Sequence, residues 1–254
     1  MERDTYEHGI PSWLDLSTSD LPGARDFYSA LFGWDIQEGP PETGGYSMAH
    51  LKGRTVAGLA PAMHPGPPAW MHYVNVADAD AVAAKVPAAG GQVILAPMDV
   101  LTFGRMSVFA DPAGAVFGTW QPGDHPGAGL VNEPGAFCWS ELITTDVAGA
   151  IDFYRSVFGW AAQGTAADPY VEFQLDGRSF AGLMAKPAEM PAEAPPFWGV
   201  YFAVDDTDAT ASRAAALGGS LVMAPTDIEP GRFAVLADPA GALFNVIALA
   251  QPPT

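Results

Sequence analysis

Two acidic residues stand where acids are costly to place. Asp15 in the run SWLDLS and Glu141 in the run CWSELI alternate with apolar neighbours, the pattern of a strand with one buried face. A carboxylate in such a place must be paired, hydrated or kept neutral. Arg105 and Arg232 are the obvious partners for a structural ion pair. Each follows a glycine, in FGR and PGR, and stands six residues before the Asp of an ADPAG run. The other use of such a carboxyl is functional. Burial raises its pKa, which makes it a possible general base or a polar anchor for a ligand. Both uses remain open at this level. The five histidines, His8, His50, His64, His72 and His125, all lie in the first half, so the second half alone cannot build a histidine metal site. The single Cys138 excludes an internal disulfide and fits a reducing compartment. With no histidine near it in sequence, it is a poor nucleophile candidate. No phosphate loop, dinucleotide fingerprint or Ser–His–Asp arrangement stands out.

The elements that must hold these residues are written twice. SWLDLSTSDLPGARDFYSALFGW (12–34) aligns with CWSELITTDVAGAIDFYRSVFGW (138–160) at an offset of 126. VAGLAPA (56–62) then matches FAGLMAK (180–186), and WMHYVNVADADAVAAKVPAAGG (70–91) matches WGVYFAVDDTDATASRAAALGG (198–219). ADPAGAVFG (110–118) and ADPAGALFN (237–245) close the two copies. A repeat this long is a duplicated domain rather than a solenoid. The expected domains are 8–122 and 135–251, joined by a Pro- and Gly-rich linker at 123–134.

Within each copy the pattern also runs twice. SWLDLS reads as a strand, Asp20 as a helix N-cap, and Ala24, Phe27, Tyr28 and Leu31 as the apolar face of a helix that Gly33 stops. Strands are expected near 34–38, 46–51 and 54–60. A second round follows, with a strand at 70–76, a helix near 79–89 and strands near 92–96, 105–110 and 115–120. The chain is therefore α+β, with two βαβββ units per domain and four in all. The Asp-Pro turns at Asp111 and Asp238, with Gly114 and Gly241, read as tight strand connections. Gly58 and Gly182, inside strand-like AGL runs, read as sites of close approach or a bulge.

A strand, a short Asp-bearing loop, a helix carrying FYxxxFGW and a closing strand pair around DPxG resemble the vicinal oxygen chelate superfamily, which contains glyoxalases, bleomycin-resistance proteins and extradiol dioxygenases. The resemblance covers nearly the whole chain, once per half, and is closest to two-domain actinobacterial proteins labelled glyoxalase-like or hydroxylase. It implies a curved, mixed eight-stranded sheet around a cleft in each domain, with helices outside. It also implies where metal-dependent members would place their His and Glu ligands. Those places hold Trp13 and Trp139 on the first strands, Met71 and Gly199 on the fifth, and Gly118 and Asn245 on the last. None is a good ligand. His72 lies one residue from such a place, which turns it to the opposite face of a strand. A carboxylate site for a hard cation built from Asp15 and Glu141 is the remaining metal alternative. The expectation is a metal-free cleft without a cofactor.

Strand parity then gives the lining. Trp13, Asp15, Met71, Tyr73, Gly118 and Trp120 are expected inside the first cleft, and Trp139, Glu141, Tyr201 and Asn245 inside the second. An aromatic cleft with one acid suits a flat or apolar organic molecule, and a cationic group on it would suit both acid and rings. The expected function is a metal-independent small-molecule binding protein of the glyoxalase and bleomycin-resistance type. The alternative is an enzyme of the same superfamily: a glyoxalase-like lyase, or a cyclase, epimerase or hydroxylase of secondary metabolism with Asp15 or Glu141 as general base. A net charge of −18 argues against nucleic acid and anionic membrane as partners. A cytoplasmic monomer is the remaining expectation, since two domains in one chain can complete each other.

Overall fold

The computed structural model describes residues 1–63 and 66–250. His64 and Gln251, the expected last residue of the second domain, lie outside them. The first half forms β1 (Pro11–Thr18), α1 (Leu21–Phe32), β2 (Asp35–Glu38), β3 (Ser47–Leu51), β4 (Arg54–Pro61), β5 (Ala69–Asn75), α2 (Ala79–Ala88), β6 (Gln92–Val100), β7 (Gly104–Ala110) and β8 (Val116–Pro122). The second half repeats the order as β9 (Phe137–Thr144), α3 (Val147–Phe158), β10 (Ala161–Gln163), β11 (Val171–Leu175), β12 (Arg178–Ala185), β13 (Phe197–Ala203), α4 (Thr207–Ala216), β14 (Ser220–Ile228), β15 (Gly231–Ala237) and β16 (Leu243–Leu249). These are the four βαβββ units that the sequence pattern calls for.

Each half makes one mixed eight-stranded sheet. The strand orders are β2-β3-β4-β1-β5-β8-β7-β6 and β10-β11-β12-β9-β13-β16-β15-β14. The two units of a half therefore meet through antiparallel pairing of their first strands, β1 with β5 and β9 with β13. Helix ends follow local chemistry. Asp20 and Asp146 accept the backbone N–H of Gly23 and Gly149 at 3.0 and 2.9 Å, and Gly33 and Gly159 close α1 and α3 in the left-handed conformation.

The helices serve both halves at once. On α1, Phe27, Tyr28 and Phe32 pack against Phe202 and Phe244 of the second sheet as well as Trp34 and Trp70 of the first half. On α3, Phe153, Tyr154 and Phe158 pack in the same way against Phe117. The ADPAG turns take part. The Asp111 carboxylate accepts the N–H groups of Ala113, Gly114 and Ala115 on one oxygen, and the Tyr154 hydroxyl at 3.3 Å on the other. Tyr154 in turn accepts the Trp198 indole N–H at 2.8 Å. The copy is exact in plan: Trp70 donates to Tyr28, and Tyr28 to Asp238. The aspartate of each turn is thus where the FY helix of the other half docks, a role that the turn reading alone did not include.

The faces that pack together are those opposite Asp15 and Glu141. His72 settles this point. It is fully buried on the packed face, with its ring 4.4 Å from Trp198, and burial lowers its pKa to about 3. It faces away from Met71 and Tyr73, as parity predicts.

Candidate functional site

Register brings the predicted residues of the first half onto one face. Asp15 pairs with Gly58 on β4 and with Met71 on β5, and Gly58 pairs with Met48 on β3. One row away, Trp13 pairs with Tyr73, and Tyr73 with Gly118. Paired residues share a face, so these side chains share the face away from the interdomain core. Trp120 lies on it too, one row further, paired with Asn75 and Met106.

Asp15 is held by phenols, not by arginine. The Tyr73 hydroxyl donates to it at 3.1 Å and the Tyr46 hydroxyl at 3.4 Å, while the Trp13 indole N–H donates to the Tyr46 oxygen at 2.9 Å. Arg105 is engaged elsewhere, clamping Asp80 with two nitrogens and Asp99 with a third. Arg232 does the same with Asp208 and Asp227. The ion-pair reading of the two acids does not hold, because these arginines sit on β7 and β15, where the helix N-terminal acids and the hairpin acids are nearer. Asp15 keeps part of its surface exposed, yet desolvation raises its pKa from 3.8 to about 7 against the opposing pull of the two tyrosines.

The second half builds the same cluster with a longer acid. Glu141, 9% exposed, accepts the Tyr201 hydroxyl at 3.1 Å, and the Trp139 indole donates to the Tyr170 hydroxyl at 3.0 Å. Burial raises the Glu141 pKa, while Tyr170 and Tyr201 oppose the rise. Tyr46 and Tyr170 were not singled out in the sequence. They lie just ahead of β3 and β11, in loops of unlike composition. The available signal was glycine. A Cβ on Gly58 would lie 1.8 Å from the Tyr46 oxygen, and one on Gly182 would lie 1.9 Å from the Tyr170 oxygen. Those glycines make room for the phenols.

Two other glycines explain the ligand-poor positions. A Cβ on Gly118 would lie 2.3 Å from the Tyr73 ring, so the phenol fills the space that a longer side chain would need. In the second half Asn245 donates to the Val200 carbonyl at 3.1 Å, and its amide nitrogen lies 3.1 Å from where a Cβ on Gly199 would be. Trp120 plays a different part from Trp13. Its indole N–H donates to the His125 carbonyl at 2.8 Å, and the His125 ring stands edge-on to Trp13 at 4.4 Å. Cys138 donates weakly to the Tyr201 carbonyl at 3.5 Å, and burial pushes its thiol pKa up, away from thiolate chemistry.

The two faces differ in their surroundings. The face that carries Asp15 also carries Met48, Met71, Met98 and Met106, a polarizable, pliable set, with Leu95 exposed on β6. The corresponding places around Glu141 hold Glu172, Gly199, Thr226 and Phe233.

The donor set does not fit a catalytic metal. Among the described residues no three His, Cys, Asp or Glu side chains come together closely enough to hold one. Asp15 and Glu141 belong to separate sheets, so the shared carboxylate site does not form.

The family model described as Glyoxalase/Bleomycin resistance protein/Dioxygenase superfamily matches residues 10–118 and again residues 137–246. The chain belongs to that superfamily. It is 45% identical over 97% of both chains to the Mycobacterium tuberculosis protein named "Putative glyoxylase CFP32". It is 39% identical to "Anthracycline biosynthesis protein DnrV" of Streptomyces peucetius, over 97% of this chain and 95% of that one. Solved structures share the fold at low identity. The 2,3-dioxygenase LapB from Pseudomonas sp. KL28 superposes with a TM-score of 0.68 at 13% identity, covering 98% of this chain and 96% of that one. The Mn(II)-bound glyoxalase from Novosphingobium aromaticivorans gives 0.66 at 16%, covering 97% and 87%.

Proposed function

We propose that this superfamily member binds a flat, largely apolar organic molecule on the face that carries Asp15 or Glu141, without a metal. The supporting observation is the Trp–Tyr–carboxyl–Tyr cluster, built twice. Each cluster places aromatic rings around one polar anchor, beside an apolar wall in the first half and an acidic one in the second, and in the second half the Trp139 and Tyr170 rings are partly open. The name of one similar protein, an anthracycline biosynthesis protein, fits such a ligand, since an aromatic biosynthetic product or precursor is flat and poor in charge. The test is a panel of planar aromatic metabolites screened by tryptophan quenching and thermal shift. The expected result is micromolar or tighter binding of at least one. A broad panel without quenching or shift would remove the proposal.

One observation favours an enzymatic version of the same site. A carboxyl with a pKa of about 7 is half ionised at neutral pH, the condition for moving a proton to or from a bound ligand. Asp15 is then the base or acid, and Tyr73 and Tyr46 hold it in place. Asp15→Asn should abolish turnover of the bound ligand while sparing its binding. Turnover that survives the substitution would exclude this mechanism.

A further inference from the structure

The two sites share a cluster but not a charge. Glu141 is buried, and no lysine, arginine or histidine among the described residues pairs with it. Four cations of the second half are engaged elsewhere. Arg155 pairs with Asp152, Arg178 with Glu7, and Arg232 with Asp208 and Asp227, while Lys186 donates to the carbonyls of Pro191, Ala192 and Ala194. A second carboxylate stands on the same face, with no cation paired to it among the described residues: Glu172 pairs with Gly182, and Gly182 with Glu141, and the Glu172 carboxylate accepts the Ser179 hydroxyl. In the first half that place is Met48. The rings beside Glu141 are also open. Tyr170 is 39% exposed and Trp139 is half-buried, whereas Trp13 is 4% exposed beside His125.

We propose that the second site recognises an aromatic ligand through a protonated amine, with the ammonium between Glu141 and Glu172 and against the Trp139 and Tyr170 rings. This rests on the aromatic-ligand reading above and adds its charge. Two carboxylates without a counter-ion beside exposed aromatic faces attract a cation by both Coulomb and cation–π terms. A neutral ligand gains neither, and it leaves a buried acid without an opposite charge. The first site, with Met48 and its other methionines, carries no second acid and takes the neutral apolar part of ligand space.

The experiment compares two probes of the same shape, 2-naphthylmethylammonium and 2-naphthylmethanol, by calorimetric titration of the full chain at pH 8. The ammonium should bind roughly tenfold or more tightly than the alcohol. Glu141→Gln should bring the two within about twofold, and Glu172→Gln should lower the preference by roughly threefold. Asp26→Asn, an exposed acid on α1, removes the same charge far from the cluster and should leave the preference intact. Should Glu141→Gln fail to fold, Glu172→Gln alone carries the test, because its side chain is only half-buried. Equal binding of the two probes overturns the amine assignment and leaves the aromatic site standing. So does a preference that survives both glutamine variants. If neither probe binds, the amine assignment falls, while the aromatic-ligand reading stands or falls with the metabolite panel.

Discussion

Asparagine at position 15 removes a charge while keeping the size and both tyrosine partners. Burial lifts the Asp15 pKa from 3.8 to about 7 in the folded protein, and unfolding returns it to the ordinary value. The folded state therefore holds the proton more tightly. The stability that this group contributes is complete below about pH 4 and is lost as pH rises through about 7. A shift of that size corresponds to about 4 kcal/mol at most, and partial exposure reduces the expectation to about 2 kcal/mol. Asparagine does not titrate. The stability of Asp15→Asn relative to the parent should thus rise by about 1 kcal/mol between pH 5 and pH 8.5, the part of the effect that falls in that window. Urea unfolding of both proteins at several pH values reads this directly, and contributions from Glu141 cancel in the difference. A difference that stays flat with pH, or a variant that loses stability on the alkaline side, would refute the picture. Either outcome would mean that Asp15 is an ionised and paired carboxylate.

Three further outcomes follow from the packing. Tyr28→Phe strands the Trp70 indole N–H and an Asp238 oxygen, and Tyr154→Phe does the same to Trp198 and Asp111. Each should lower stability by about 2–3 kcal/mol in thermal or urea unfolding, and a loss below about 0.5 kcal/mol would show that the docking bonds are incidental. Gly118→Ala drives a methyl into the Tyr73 ring, at a cost of about 1–3 kcal/mol by the same assay, and should release the Tyr73–Asp15 bond. Cys138 should react with an alkylating reagent far more slowly in the native protein than in urea, since burial disfavours its thiolate; equal rates would contradict its placement.

Much of the fold was legible because the chain states it twice. The 126-residue offset, the FY helices and the Asp-Pro turns place every unit in order. Helical periodicity shows that Phe27 and Tyr28 are buried, but it does not say against which sheet, so the exchange of helices between halves was not readable. Of the site, the two acids stood out because alternation makes a lone carboxylate conspicuous. Tyr46 and Tyr170 did not, because loops of different make-up carry them and only Gly58 and Gly182 betray their approach. The arginine expectation failed for a similar reason. Sequence offered Arg105 and Arg232 only as candidates, by their matching places in the two copies, whereas cross-strand pairing gives them Asp99 and Asp227, and helix starts give them Asp80 and Asp208.

The most direct test is a quenching titration with a planar aromatic probe, an anthraquinone, before and after exhaustive chelation of the protein. Trp139 is half-buried beside the proposed ligand surface, so occupancy should quench tryptophan emission. A metal-free site predicts micromolar or tighter binding that chelation leaves unchanged. Binding that vanishes with chelation and returns with a divalent cation would contradict it.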